Sequence, residues 1–274
     1  LLSEPNLQQQ LVEIGYQGKK LEELESLIAT EKANMLFIVQ DPYTSYYDAK
    51  VVRDFVALTQ KLGFEPIILP FKPNGKAMHI KGFLTRFSKT AKTQAEFLNR
   101  VAKLNVPLVG VDPAIVLSYR DEYKEALGDS RGDFHVLTAH EWLTNQLESK
   151  ALQSAVKNIA KSDRTFEWHL FPHCTESTFM PNSPKEWQHI FARFGQTLKV
   201  EKVGCCGMAG VFGHEVQNQT MSKDIYDVSW SKKLQGKDPN HCLATGYSCR
   251  SQVKRYEKAI LKHPVQALLE VLNN

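Results

Sequence analysis

Five cysteines stand at positions 174, 205, 206, 242 and 249 of a 274-residue chain, two of them adjacent in the glycine-rich stretch "VGCCGMAGVFGHE". Thiolates are soft ligands that select iron-sulfur clusters, zinc or copper(I), and a 4Fe-4S cluster takes four cysteines. Adjacency bears on the choice. Structural zinc sites space their cysteines roughly two to four apart so that both reach one ion, whereas a cluster offers separate irons to neighbouring residues. Gly204, Gly207, Gly210 and Gly213 would let the backbone fold tightly around an inorganic core and turn its N–H groups toward bridging sulfides. Cys242 opens the apolar run "CLAT" and reads as a core residue.

The elements that must position these thiols form a repeat. Residues 36–77 read as an apolar strand, a turn, an amphipathic helix, Gly63 and a second strand, and residues 169–210 read in the same order. Val52, Phe55, Val56 and Leu62 on the first helix are answered by Trp187, Ile190, Phe191 and Phe194 on the second. Gly63 and Gly195 stand where each helix would stop. A third block, "PLVGVDPAIVLSYRDEY" at 107–123 and "CLATGYSCRSQVKRYEK" at 242–258, completes both halves. Overlaying the copies sets Asp41 opposite Cys174, Pro73 and Asn74 opposite Cys205 and Cys206, and Ile115 opposite Cys249.

Strands alternating with helices argue for an α/β fold of two tandem lobes related by a pseudo-two-fold, each with a short parallel sheet. The expected organisation is a helical lead-in over 1–33, a cysteine-free lobe over 34–130, a linker helix region over 131–164 and a cysteine-bearing lobe over 165–274. Cys174 follows the strand "HLF", Cys205 and Cys206 follow "LKVEKV", and Cys249 follows "CLAT". The four can therefore converge at one end of one sheet, where loops on rigid elements form sites.

Composition narrows the function classes. A hydrophobic content of 42% with 23% charged residues is that of a soluble globular protein with a sizeable core. The net charge of +4 is spread along the chain without a basic run, which argues against nucleic acid as a partner. The longest apolar runs, "MLFIV" and "PIILPF", are too short for a transmembrane segment. No signal peptide is recognisable, and the lack of a starting Met points to a processed chain or a fragment. An odd, small cysteine count suits a reducing compartment, so the expected location is cytoplasmic. There is no GxSxG or HExxH motif, no dinucleotide fingerprint and no ferredoxin-type cysteine run, so no catalytic residue is assigned. His173 and His214 flank motif cysteines and are candidates for hydrogen bonding around them. Arg250 and Lys254, just after Cys249, would either lower thiolate pKa values by nearby positive charge or form a solvated helix face. The segment "PNGKAMHIKG", with two lysines and His79, reads as a docking or anion-binding surface.

The pattern of Cys174, thirty intervening residues, Cys205-Cys206-Gly207, then forty-one residues to Cys249 resembles the cysteine-rich CCG domain. That domain occurs in the cysteine-rich subunit of heterodisulfide reductase and in the iron-sulfur subunits of glycolate oxidase, anaerobic glycerol-3-phosphate dehydrogenase and lactate-utilisation proteins. The phrases "DPYTSYYDA", "LPFKPNGKAMHIKGFL", "VGVDPA", "GCCGMAGVFGHE" and "ATGYSCRSQVKR" resemble more closely the C-terminal region of bacterial FAD-linked oxidases that also carry ferredoxin-type clusters, the D-2-hydroxyglutarate dehydrogenase type, from about residue 34 to 265.

This resemblance implies a duplicated CCG domain with an iron-sulfur cluster, 4Fe-4S, on Cys174, Cys205, Cys206 and Cys249. It implies FAD in the parent protein but outside this segment, and upstream FAD-binding and ferredoxin-type domains of the same polypeptide as partners. The implied role is to pass electrons from flavin to an acceptor, for example a quinone, during oxidation of a D-2-hydroxy acid, at a location peripheral to the inner membrane. The sequence departs from the pattern once. The CxxC ending reads "GYSC", with Gly246 where a cysteine often stands, which leaves four thiolates for a cubane and removes the extra cysteine of the non-cubane cluster. The competing class is a non-catalytic scaffold stabilised by zinc or by its thiols. Thiol-disulfide chemistry at the doublet would require a strained bridge.

Overall fold

In the computed structural model, residues 2–24, 26–27, 32–157 and 166–273 are described. The chain divides into two compact units, Leu1–Ala155 and Val156–Asn274. The first is built on four parallel strands, β1 (Met35–Ile38), β2 (Glu65–Ile68), β3 (Leu108–Gly110) and β4 (Val136–Thr138), in the order β2-β1-β3-β4. The second holds β5 (Glu167–Phe171), β6 (Thr197–Val200) and β7 (Cys242–Ala244), also parallel, in the order β6-β5-β7. The α/β expectation with short parallel sheets is met. Among the described residues no helix is long and apolar enough to cross a membrane.

Burial explains why the strands read as apolar runs. Met35, Leu36, Phe37 and Ile38 are all buried, as central parallel strands covered on both faces must be. The helix after each first strand presents one apolar face to its sheet: Val52, Phe55 and Val56 on Ala49–Lys61, and Trp187, Ile190 and Phe191 on Ser183–Arg193 are buried. Gly63 (φ 84°) and Gly195 (φ 67°) follow these helices in the left-handed conformation that ends them.

Two expectations need correction. The stretch 131–164 contains β4 and the helix Ala139–Gln146, opened by a capping box of Thr138 and Glu141. β4 pairs with β3 through Leu108↔Val136 and Val109↔Leu137, so this segment extends the first sheet. A three-residue apolar strand next to a capped helix is too short to show as a periodic pattern. The helix Lys150–Val156 follows, and residues 158–164 of the expected linker lie outside the described residues. The lead-in, residues 1, 25 and 28–31 of which are likewise outside, packs on the first unit: Leu24 is fully buried in its core and Tyr16 Oη accepts from the Ile68 N–H at 2.9 Å.

The second correction concerns the overlay of the halves. Phe37 pairs with Leu108 in one sheet and His169 with Cys242 in the other. The helix caps choose the match: Asp41 and His173 cap the short helix after the first strand of each unit, and Asp112 and Gly246 the helix after the third, so Asp41 falls opposite His173 rather than Cys174 and Asp112 opposite Gly246. Pro73 and Asn74 keep Cys205 and Cys206 as counterparts, and Ile115 keeps Cys249.

In each unit the chain leaves the central strand toward one side and returns on the other. This makes a crevice between β1 and β3 and between β5 and β7, the place where open α/β sheets bind ligands. In the first unit it holds two buried carboxylates. Asp41 accepts from the Tyr43 and Thr44 N–H groups at 2.8 and 2.9 Å, and Asp112 from those of Ala114 and Ile115 at 3.0 and 3.3 Å. Burial first, then the charge of Asp112, push the Asp41 carboxyl up to about 7, against the pull of its bonds to Thr44. A carboxyl raised on folding contributes stability that is complete below its unfolded pKa and is lost as pH rises through the folded value. Urea midpoints of the parent chain are therefore expected to fall between pH 5 and pH 8, and Asp41→Asn is expected to flatten that fall. An equally steep decline in the variant would show that another group carries it.

Candidate metal centre

The second crevice gathers the thiols. Cys174 opens the helix Cys174–Phe179 after β5, Cys205 and Cys206 lie in the loop after β6, and Cys249 lies in the first turn of the helix Tyr247–Tyr256 after β7. None is in a disulfide; Cys206 and Cys249 are buried, and Cys174 and Cys205 are partly exposed. The side chains form a continuous ladder in which Cys174 is hydrogen-bonded to Cys205, Cys205 to Cys206, and Cys206 to Cys249. All four cysteines singled out by spacing are thus brought together. Among the described residues, no three histidine, cysteine, aspartate or glutamate side chains are grouped as a lone metal ion would need.

The loop that carries the doublet is held by its carbonyl groups. Trp230 Nε1 donates to Gly204 O at 3.1 Å, Gln252 Nε2 to Cys206 O at 2.9 Å, and Ser222 Oγ to Gly207 O at 2.7 Å. Gln252 Nε2 also donates to Ser222 Oγ at 2.8 Å, and the Gly204 N–H donates to Ser229 Oγ at 2.7 Å. Ser229 and Trp230 reach the same residue from a single π turn, Asp227–Ser231, a local widening of a helix that recurs at functional sites.

With the carbonyls engaged outward, the N–H groups turn in. The Gly207 N–H donates to Cys205 Sγ at 3.4 Å, joined there by that of Ala209, and Cys206 receives the Met208 N–H. Gly207 (φ 82°), Ala209 (φ 41°) and Gly210 (φ 70°) adopt the left-handed backbone that such an anion-binding nest requires. Hydrogen bonds from Cys174 and Cys206, with those N–H groups, hold the Cys205 thiol well below the usual range. The bond to Cys205, together with burial, pushes Cys174 up; bonds to Cys205 and Cys249, together with burial, do the same to Cys206. The backbone N–H groups of Gly207 and Ala209 thus favour negative charge at Cys205.

The remaining candidates take other places. His173 caps the cysteine helix, with Nδ1 accepting from the Thr175 N–H at 3.2 Å and Nε2 lying 3.2 Å from Ser248 Oγ. His214 is exposed and its Nδ1 accepts from Arg255 at 3.1 Å. Arg250 is buried and donates to Ala244 O and Thr245 O at 2.9 and 3.0 Å, which fixes the end of β7. Cys242 is fully buried beside Phe171 and Trp230, as its apolar setting suggested. In "PNGKAMHIKG", Lys76 is paired with Glu122 and His79 packs on Phe87, and both remain partly exposed.

Sequence reasoning missed the supports: Trp230, Ser229, Ser222, Gln252, and the buried Glu176, which accepts from Ser183 and Thr245. Burial pushes the Glu176 carboxyl up. These residues reach the loop and its surroundings from distant segments, and no local spacing marks them.

The chain matches D-2-hydroxyglutarate dehydrogenase of Haemophilus influenzae at 82% identity and that of Escherichia coli at 57%, each over 99% of this chain and 26% of the relative. One subunit of the anaerobic glycerol-3-phosphate dehydrogenase of Escherichia coli matches at 22% identity over 84% of this chain and 57% of its own length. No family model matches. The chain spans about a quarter of the length of the first two relatives, and across nearly all of its own residues it is similar to a segment of the D-2-hydroxyglutarate dehydrogenases.

Proposed function

We propose that the second unit is the electron-transfer module of a flavin-dependent D-2-hydroxyacid dehydrogenase, and that Cys174, Cys205, Cys206 and Cys249 hold an iron-sulfur cluster there. The observation that carries this reading is the ladder of four thiols in one strand-end crevice, with backbone N–H groups directed at two of them. The donor set suits the group, since thiolates hold such clusters and N–H···S bonds tune them. A bound cluster, of the 4Fe-4S type, would supply a one-electron carrier. The chain's own part is to present four sulfurs from three strand ends, to bury Cys206 and Cys249 from water, and to leave Cys174 and Cys205 nearer the surface. The similarity to dehydrogenases supports the assignment to oxidation of a D-2-hydroxy acid, with FAD bound elsewhere in the parent polypeptide and an acceptor such as a quinone.

Anaerobic reconstitution tests it. The chain is expected to turn brown and bind about four irons and four sulfides, and Cys206→Ser is expected to abolish uptake. A colourless protein with stoichiometric zinc would instead establish the scaffold reading.

Gly207 gives a second test. A Cβ there would come 2.1 Å from Ser222 O, in a backbone with φ of 82°. Gly207→Ala is expected to lower stability by about 2 kcal/mol or more and to release iron to a chelator about tenfold faster. Unchanged retention would mean that the loop's N–H groups do not support the centre.

A further inference from the structure

Gly246 has an ordinary extended backbone, φ −87° and ψ 137°, so its conformation does not call for glycine. Its surroundings do. A Cβ at 246 would lie 2.3 Å from Cδ2, 2.9 Å from Cγ and 3.2 Å from Cβ of His173. The imidazole occupies the space in which a side chain at 246 would begin, and close packing leaves no room for both.

The ring is fixed in that space. Nδ1 accepts the Thr175 N–H as a helix cap, so the neutral ring carries its proton on Nε2 and donates to Ser248 Oγ at 3.2 Å. The His173 N–H donates to Thr245 Oγ1 at 2.9 Å, and that hydroxyl donates in turn to the buried Glu176. Swinging the ring aside would give up the cap and the bond to Ser248 together. In the first unit the corresponding pair is Asp41 and Asp112, where the second position does carry a side chain. The exclusion at 246 thus belongs to His173 and not to the fold.

Position 246 caps the helix that bears Cys249, and His173 directly precedes Cys174. A side chain at 246 would therefore start three residues before Cys249, against the ring of the residue that precedes Cys174. We infer that His173 limits this centre to four protein thiolates by filling the place from which a fifth ligand, at 246, would reach it. This specificity-determining role rests on the cluster reading above.

The test compares the parent chain, Gly246→Cys, His173→Ser and the double variant; serine keeps an oxygen able to cap the helix. In thermal melts without metal, Gly246→Cys alone is expected to melt below the parent, while the double variant melts with His173→Ser. After anaerobic reconstitution, the introduced thiol is expected to stay open to alkylation in the single variant. In the double variant it is expected to become protected, with a changed electron paramagnetic resonance spectrum of the reduced protein. The inference is overturned if Gly246→Cys melts with the parent, if its new thiol is protected while His173 is in place, or if the new thiol of the double variant stays open after loading. Failure of the parent itself to take up iron would instead overturn the proposed function, and the inference with it.

Discussion

Whether a loop can gather negative charge depends on which way its peptide groups face, and in the doublet loop that direction is set from outside. The carbonyls of Gly204, Cys206 and Gly207 are each taken by a side chain from a later helix or turn. A peptide plane anchored through its oxygen has its N–H directed the opposite way. The thiol array is therefore a consequence of second-unit packing, because Trp230, Ser222 and Gln252 are themselves fully buried. The π turn belongs to the same arrangement, since Ser229 and Trp230 within it both bond Gly204.

The two units show one scaffold serving two chemistries. Each sheet opens a crevice beside its central strand, and each fills it with groups carried on the same loops. In the first unit the contents are carboxylates bound to helix N-termini, where N–H groups favour a negative partner. In the second they are thiols beneath a nest. Asp41 and His173 cap equivalent helices, so the cap was retained while its chemistry diverged. Glu176 joins the cysteine helix to Ser183 and to Thr245 at the end of β7, a tie among three segments on the Cys174 side.

Much of this was legible in the sequence, and the residues show why. The strands β1 and β5 and the helix faces at Val52–Val56 and Trp187–Phe191 follow from periodicity and burial, which are local signals. The convergence of Cys174, Cys205, Cys206 and Cys249 followed from their positions after successive strands of one sheet. β4 escaped because three residues carry no usable period. The overlay slipped by one residue at Asp41 because it matched residue types, whereas the helix caps align Asp41 with His173. Trp230 and Gln252 could not be read at all, since nothing near them in sequence indicates that their donors end on Gly204 and Cys206.

The separation of the four thiols along the chain also fixes an order of events. In an unfolded polypeptide only Cys205 and Cys206 are neighbours, and bringing Cys174 and Cys249 to them requires closing two long loops. The sheet β6-β5-β7 must assemble before four sulfurs share one crevice. Formation of the array thus follows the folding of the second unit. Were a cluster bound there, the second unit would have to fold before all four sulfurs could hold it together.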